Sequence, residues 1–139
     1  MDFTVIRLLL DFGLLILIWI VQLIIYPSFE HFQKQDLMKW HSVYTVRIGV
    51  VVMPLMIGQL LINVIFVYKS FSIYTLISLI LVVVVWLSTF LQFVPMHSYI
   101  SDGNFDSKLI NRLINLNWLR TFLWTTVFLY SLLLYFVSV

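Results

Sequence analysis

Polar side chains that could do chemistry recur at one depth of four long apolar segments in this chain. Burying a polar group in the apolar interior of a membrane is costly, so such residues commonly mark a functional site. Each of the four segments contributes at least one of them: Gln22, His41, Tyr44, Arg47, Gln92, His97, Asn117, Arg120 and Trp124. A bundle that needed only stability would not gather polar groups from every segment at one level. We therefore predict a polar cavity in one half of the molecule.

His97, His41 and Arg120 are the candidate catalytic residues. An imidazole titrates near neutral pH, so either histidine could act as a general base. A histidine at the end of a membrane span is also common as an interfacial residue, and that alternative stays open for both. Arg120 lies one turn inside a span, so it must reach the surface, pair with Glu30, Asp36 or Asp102, or bind an anion.

The candidate ligand-binding residues surround these three. Asn117, Thr121 and Trp124 share a helix face with Arg120, and fixed donors there could stabilise a phenolate or enolate oxygen. Trp86 and Trp124 lie deeper and could enclose a flat ring, although core packing explains both at least as simply. The other predicted ligand contacts are polar residues at the same depth: Gln22, Tyr44, Arg47 and Gln92.

The sequence predicts no metal site and requires no cofactor. It contains no cysteine, which excludes disulfides and thiolate-ligated metals. Two histidines could hold a haem iron, but no His-x-x-His, His-Glu-x-x-His or carboxylate–histidine spacing supports a metal. Haem or a quinone remains open as a cofactor.

The elements that must position these residues are apolar segments at approximately residues 5–26, 43–68, 73–93 and 118–139. Each has about 20 residues or more, which at ~1.5 Å per residue crosses a ~30 Å hydrocarbon layer. The chain is 63% hydrophobic and only 10% charged, whereas soluble domains carry about 25% charged residues. We predict an all-α integral membrane four-helix bundle that forms a single transmembrane domain over residues 1–139.

The two longer connections are predicted to form short amphipathic helices on the membrane surface. In Pro27–Ser42, aromatic residues and leucine recur at helical spacing among charges, and in Phe105–Leu116 apolar residues occupy one helix face. Both helices are expected to cover the cavity, after a turn at Asp102-Gly103 in the second case. Pro27 and Pro95 are interpreted as lying where their spans end.

The basic residues indicate how the chain is oriented. Six of the eight Lys and Arg residues lie at the end of the bundle that holds these connections: Lys34, Lys39, Arg47, Lys108, Arg112 and Arg120. The positive-inside rule then places the connections in the cytoplasm and both termini outside. The net charge of +2 is accordingly interpreted as membrane topology and not as nucleic-acid binding. We expect the bilayer to be a bacterial inner (plasma) membrane.

Two segments resemble a known family. The sequences QFVPMHSYI (Gln92–Ile100) and LNWLRTFLW (Leu116–Trp124) are similar to paired motifs of small four-span membrane proteins of the anthrone-oxygenase-like family. Gln92 and His97 stand where asparagines are usual in that family, and Trp118 stands where it often has histidine. The resemblance implies a four-span fold and cofactor-free oxidation of polycyclic phenols.

Two functions follow from these patterns. The leading one is a small-molecule or cofactor pocket in the cytoplasmic half of the bundle, in an oxidoreductase acting on a lipophilic ring compound, with the reaction class supplied by the resemblance. The alternative is a non-enzymatic membrane subunit or small carrier whose polar layer is a structural hydrogen-bond network. A carrier of this size would need to form a homo-oligomer or join a larger membrane complex.

Overall fold

Four long helices make up the computed structural model, which describes residues 2–138. They are α1 (Phe3–His31), α2 (Lys34–Lys69), α3 (Ile73–Ser101) and α4 (Ser107–Ser138). Each is long and apolar enough to cross a membrane. The predicted all-α four-helix bundle is confirmed, and the chain is an integral membrane protein. Val139, which ends the fourth predicted span, lies outside the described residues.

The helices pack in an up-down order in which chain neighbours lie side by side and α4 closes the ring against α1. Apolar side chains fill the centre, among them Leu14, Ile18, Met56 and Val85. Apolar side chains also cover the outside, as expected where the solvent is lipid. We call the end with the connections Phe32–Gln33 and Asp102–Asp106 the connection half, and the opposite end, with both termini, the terminal half.

The tight connection between α2 and α3 is determined by local capping. The Ser72 hydroxyl accepts the Thr75 N–H, and the Thr75 hydroxyl accepts the Ser72 N–H, so that the two side chains form a capping box. At the other end of α3, Gly103 has a φ of 75°. This left-handed conformation suits glycine, and the predicted turn at Asp102-Gly103 is confirmed.

The prediction of separate surface helices is wrong, although both segments are largely helical. Residues from Lys34 onwards belong to the same 36-residue helix as the second span, and residues from Ser107 onwards belong to the fourth. The physical reason is that neither segment contains a proline or glycine where it joins its span, so nothing ends the helix there. The helices consequently extend beyond the predicted spans on the connection side.

Two prolines are accommodated inside their helices by widened turns. A π-helical turn at Val21–Ile25 precedes Pro27, and another at Thr89–Phe93 precedes Pro95. Proline lacks the amide hydrogen and clashes with the preceding turn, and a π turn absorbs this misfit. Pro27 and Pro95 therefore do not end their helices, and the two π turns lie at the level of the predicted polar layer.

Candidate functional site

A cavity of about 420 Å³ lies between α2 and α3, mainly in the connection half. Its sides come from one face of α2, including Tyr44 and Gly49, and from the α3 residues Phe93 and His97. Its floor includes residues of α1 and α4. The rim is mostly apolar and partly exposed, with Val94 half exposed and the polar Ser98 exposed as well. Because this surface lies at membrane depth, the cavity opens sideways toward the bilayer.

Arg120 is the charged group at the floor of this cavity. Its side chain is only 6% exposed, and its guanidinium carbon lies 4.1 Å from the centre of the Phe93 ring and 5.1 Å from that of Trp124. Its Nη1 donates to Asn117 Oδ1 at 3.3 Å, and the guanidinium lies beside the Tyr26 hydroxyl. Among the described residues, its buried Nε has no hydrogen-bond partner.

None of the predicted acidic partners pairs with Arg120. Glu30, Asp36 and Asp102 are exposed at the membrane surface, away from the floor of the cavity. Besides the two aromatic rings, the Arg120 guanidinium interacts with the Asn117 amide, with Tyr26 and Tyr44, and with the nearby His97. A buried cation with these neighbours keeps capacity to bind an anionic or strongly polar oxygen.

Three side chains behind Arg120 hold it in place. Gln22 Oε1 accepts hydrogen bonds from Asn117 Nδ2 at 2.9 Å and from Thr121 Oγ1 at 3.4 Å, and all three residues are buried. Gln22 lies in the π turn of α1, and its Nε2 donates to the carbonyl of Ile114 on α4 at 3.4 Å. The triad therefore ties α1 to α4 and orients Asn117 toward Arg120, while facing away from the cavity.

A continuous chain of hydrogen bonds leads from the cavity toward the membrane surface. The Tyr26 hydroxyl and His97 Nε2 are 2.9 Å apart, and His97 Nδ1 and His41 Nε2 are 2.8 Å apart. His41 Nδ1 and Ser101 Oγ are 2.8 Å apart. Ser101 is the last residue of α3 and is followed by the exposed Asp102, and it also lines the cavity, so the chain ends where the cavity meets the end of α3.

Both histidines are fully engaged by this chain. Each of their ring nitrogens has a hydrogen-bond partner, so ligation of a haem iron by either residue would first break a bond. His41 is completely buried, and its ring lies edge to edge with that of His97, with centroids 4.9 Å apart and planes inclined by 27°, as their direct hydrogen bond requires. Phe29 and Tyr44 pack against the His41 ring and shield it from lipid.

Arg47 is not part of the site. It is exposed on the outer face of α2, which it shares with Val43, Val46 and Val50, all exposed as well. Val43, Arg47 and Val50 follow one another at spacings of four and three and form this outer face. The cavity is lined instead by Tyr44, Ile48 and Gly49. This geometry therefore does not support the predicted ligand contact of Arg47.

Trp86 and Gln92 also lie away from the cavity wall. Trp86 stacks on Phe90 with ring centroids 5.4 Å apart, and its buried Nε1 has no partner among the described residues. Gln92 Oε1 accepts a hydrogen bond from Ser88 on its own helix. Only Trp124 of the two predicted ring-stacking tryptophans lines the cavity, so the structure does not support a sandwich of Trp86 and Trp124.

Two residues of the site were missed from the sequence. Tyr26 is 2% exposed and meets both Arg120 and His97, and Ser101 ends the hydrogen-bond chain. Tyr26 follows Gln22 by four positions, and Ser101 follows His97 by four. This spacing places residues on one helix face and was the signal that could have found them.

A second buried polar network lies in the terminal half. The Asp11 carboxylate, fully buried, accepts hydrogen bonds from Gln59 Nε2 at 2.6 Å and from the Ser131 hydroxyl. Arg7 is also buried, with its guanidinium 4.9 Å from the centre of the Phe66 ring. Gln59 Oε1 accepts from Trp124 Nε1 at 3.4 Å, which joins this network to the cavity.

The fold and the site together define a class of protein, namely an integral membrane four-helix bundle with a polar-floored cavity open toward lipid. No protein-family model, curated protein or solved structure matches this chain. The resemblance to anthrone-oxygenase-like proteins accordingly stays a prediction, and the function has to be argued from the site.

Proposed function

We propose that this protein takes up a compact lipophilic ring compound from the bilayer and stabilises the ionised form of its hydroxyl or enol oxygen. The observation that carries the proposal is Arg120, a buried cation at the floor of an otherwise largely apolar cavity, with no carboxylate partner among the described residues. A buried charge is costly unless an opposite charge or hydrogen bonds compensate it. An oxygen anion of the ligand would supply that opposite charge.

The size and lining of the cavity favour such a ligand. Small-molecule sites are typically mostly apolar, with volumes of roughly 300–1,000 Å³ and a few convergent polar groups. A volume of about 420 Å³ lies at the small end of this range. Aromatic side chains at the floor, Phe93 and Trp124, can contact the face or edge of a ring, while Arg120 and Tyr26 bind its oxygen.

The reaction that this arrangement favours begins with removal of a proton. His97 can act as the general base through Tyr26 or directly, since both residues line the cavity. Arg120 then stabilises the resulting oxyanion as a fixed donor in a dry site. A phenolate or enolate gives up electrons more readily than its neutral form, which is consistent with the oxidoreductase activity that the resemblance implies.

The alternative, a non-enzymatic subunit or carrier, is favoured by one observation. Gln22, Asn117 and Thr121 satisfy one another and link α1 to α4 without reaching the cavity. That part of the polar layer is a structural network under either proposal. The cavity itself discriminates between them, because a purely structural layer does not need an open pocket.

Filling the cavity tests the proposal. An added side chain at Gly49, which lines the cavity, would begin in open space with no atom within 4 Å of its Cβ. We expect Gly49→Phe to lower the affinity for an octyl-substituted para-nitrophenol at least about tenfold, or about 1.4 kcal/mol, because the two rings compete for one space. Binding is measured in lipid nanodiscs from the yellow absorbance of the phenolate.

The matched control is Val50→Phe, on the next residue of the same helix. Val50 is 72% exposed and faces away from the cavity, so its replacement should leave the affinity unchanged. Glycine is also unfavourable inside a helix, so Gly49→Phe should not reduce the thermal stability. Equal affinities in wild-type protein and both variants, or no binding at all, would contradict the pocket.

We further propose that the connection half faces the cytoplasm of a bacterial cell. Six of the eight basic residues support this orientation, and the other two, Arg7 and Lys69, lie in the terminal half. A reporter that is active only in the cytoplasm should therefore be inactive when fused after α4, whereas the same reporter inserted at Gly103 should be active. The reverse pattern would overturn the orientation and leave the cavity unaffected.

A further inference from the structure

We propose that Tyr26, His97, His41 and Ser101 form a proton wire that connects the ligand oxygen to the membrane surface. The inference rests on the proposed function, because the ligand oxygen is one end of the wire. It assigns roles to Tyr26 and Ser101. It also gives a role to His41, which is fully buried and therefore cannot contact a ligand itself.

The geometry of the four groups is that of an unbroken path. Their three hydrogen bonds measure 2.9, 2.8 and 2.8 Å. The groups come from three helices, so no single helix produces the alignment by its own repeat. Tyr26 starts the path beside Arg120, and Ser101 ends it one residue before the exposed Asp102.

The two facing imidazoles give the path a direction. A neutral imidazole carries one hydrogen, so the hydrogen between His97 Nδ1 and His41 Nε2 belongs to one ring or the other. In the first arrangement Tyr26 donates to His97, His97 to His41, and His41 to Ser101. In the second arrangement every donor becomes an acceptor, and the Tyr26 hydroxyl hydrogen is free to point toward the ligand.

One transfer along the path converts the first arrangement into the second. The ligand O–H breaks and its proton binds the Tyr26 oxygen, while the Tyr26 proton moves to His97 Nε2. The His97 Nδ1 proton moves to His41 Nε2, the His41 Nδ1 proton moves to the Ser101 oxygen, and the Ser101 proton leaves to water. The ligand retains the electron pair as an oxyanion beside Arg120, and one proton is released.

The ionised ligand then holds the wire in the second arrangement. An oxyanion only accepts hydrogen bonds, so Tyr26 donates to it, and charge-assisted bonds of this kind are about twice as strong as neutral ones. His97 must then donate from Nε2 to Tyr26, and His41 must donate from Nε2 to His97. Ligand ionisation is therefore coupled to a joint change of tautomer in both histidines.

Nitrogen NMR of the intact protein tests this coupling. The chain has three histidines, so labelling histidine with the heavy nitrogen isotope gives few signals, and the exposed His31 is an internal control. Before the nitrophenol is added, we expect a scalar coupling between the His97 Nδ1 and His41 Nε2 nuclei across their hydrogen bond. Addition of the octyl-substituted para-nitrophenol should change the tautomer ratio of both rings at least about tenfold and leave His31 unchanged.

Two variants separate the wire from simple packing. Tyr26→Phe removes the hydroxyl that links ligand to histidine, so the His97–His41 coupling should persist while the tautomers stop responding to the probe. Ser101→Ala removes the outer end at a partly exposed site and should weaken the response of His41.

The possible outcomes show separately whether the proton wire is wrong and whether the proposed ligand binding is wrong. If the yellow phenolate binds in wild-type protein but the tautomers stay constant, or only His97 responds, the wire is overturned and the binding function stands. If the coupling between the two histidines is absent, the wire is also overturned. If no phenolate binds, the proposed function and the wire fall together.

Discussion

Replacing Arg120 with methionine should reduce the affinity for the octyl-substituted para-nitrophenolate about 100-fold. The guanidinium is the charged donor at the cavity floor, and hydrogen bonds to charged groups are worth about 1.5–3 kcal/mol. Methionine retains much of the apolar length of the side chain beside Phe93 and Trp124, so the change isolates the charge. Nanodisc titration followed by phenolate absorbance measures the effect.

The same variant should keep or raise its thermal stability in detergent. Removing one member of a buried ion pair typically costs about 3–5 kcal/mol, because the partner is left unpaired. Arg120 instead leaves behind only the Asn117 amide and the neighbouring tyrosines. Arg47→Met, at an exposed position of the same half, is the control and should alter neither quantity. A large loss of stability with unchanged affinity would identify Arg120 as structural.

The fold could be predicted because lipid imposes it. Runs of about 20 apolar residues leave few alternatives to membrane-spanning helices. The ends of the helices were less predictable, since an amphipathic surface helix and an extension of a span have the same local pattern. Whether Lys34–Ser42 bends away from α2 depends on packing against other helices, and no residue in that segment breaks the helix.

The sequence predicted how deep in the membrane the site lies, but only some of the residues that form it. The clustering of polar residues at one depth correctly indicated Arg120, Asn117, Gln22 and both histidines. It could not show that Arg47 faces outward or that Trp86 packs on Phe90, because depth in the membrane says nothing about direction around the helix axis. The π turn at Thr89–Phe93 also shifts the helical phase between Trp86 and His97, which a regular helical count does not include.

The terminal half shows the same limit for long-range partners. Arg7 and Asp11 are four positions apart, a spacing that is typical of an ion pair on one helix face. Instead Asp11 is fully buried and accepts hydrogen bonds from residues 48 and 120 positions away, Gln59 and Ser131. Local spacing cannot reveal partners on other helices, so this network became visible only in three dimensions.

Asp11→Asn should therefore lower stability by about 1–3 kcal/mol, the largest effect that we expect on folding, because buried donors lose their acceptor. The amide adds a donor where the Gln59 amide and the Ser131 hydroxyl already donate, and it removes the negative charge that faces Arg7. The midpoint of thermal unfolding in detergent measures the loss. Asp36→Asn, at an exposed site in the first turn of α2, is the control and should change the midpoint little.

The variants Asp11→Asn and Arg120→Met should thus have different effects, the first on thermal stability and the second on ligand affinity. Asp11 is hydrogen-bonded and does not line the cavity, so the folded fraction of Asp11→Asn should bind the phenolate with nearly wild-type affinity. Arg120 has no carboxylate partner among the described residues and lies at the cavity floor, so its loss should act on binding alone. If Asp11→Asn unfolds no more readily than Asp36→Asn, the terminal network does not hold the bundle together. If it loses affinity as steeply as Arg120→Met, the link through Gln59 and Trp124 makes both networks one site.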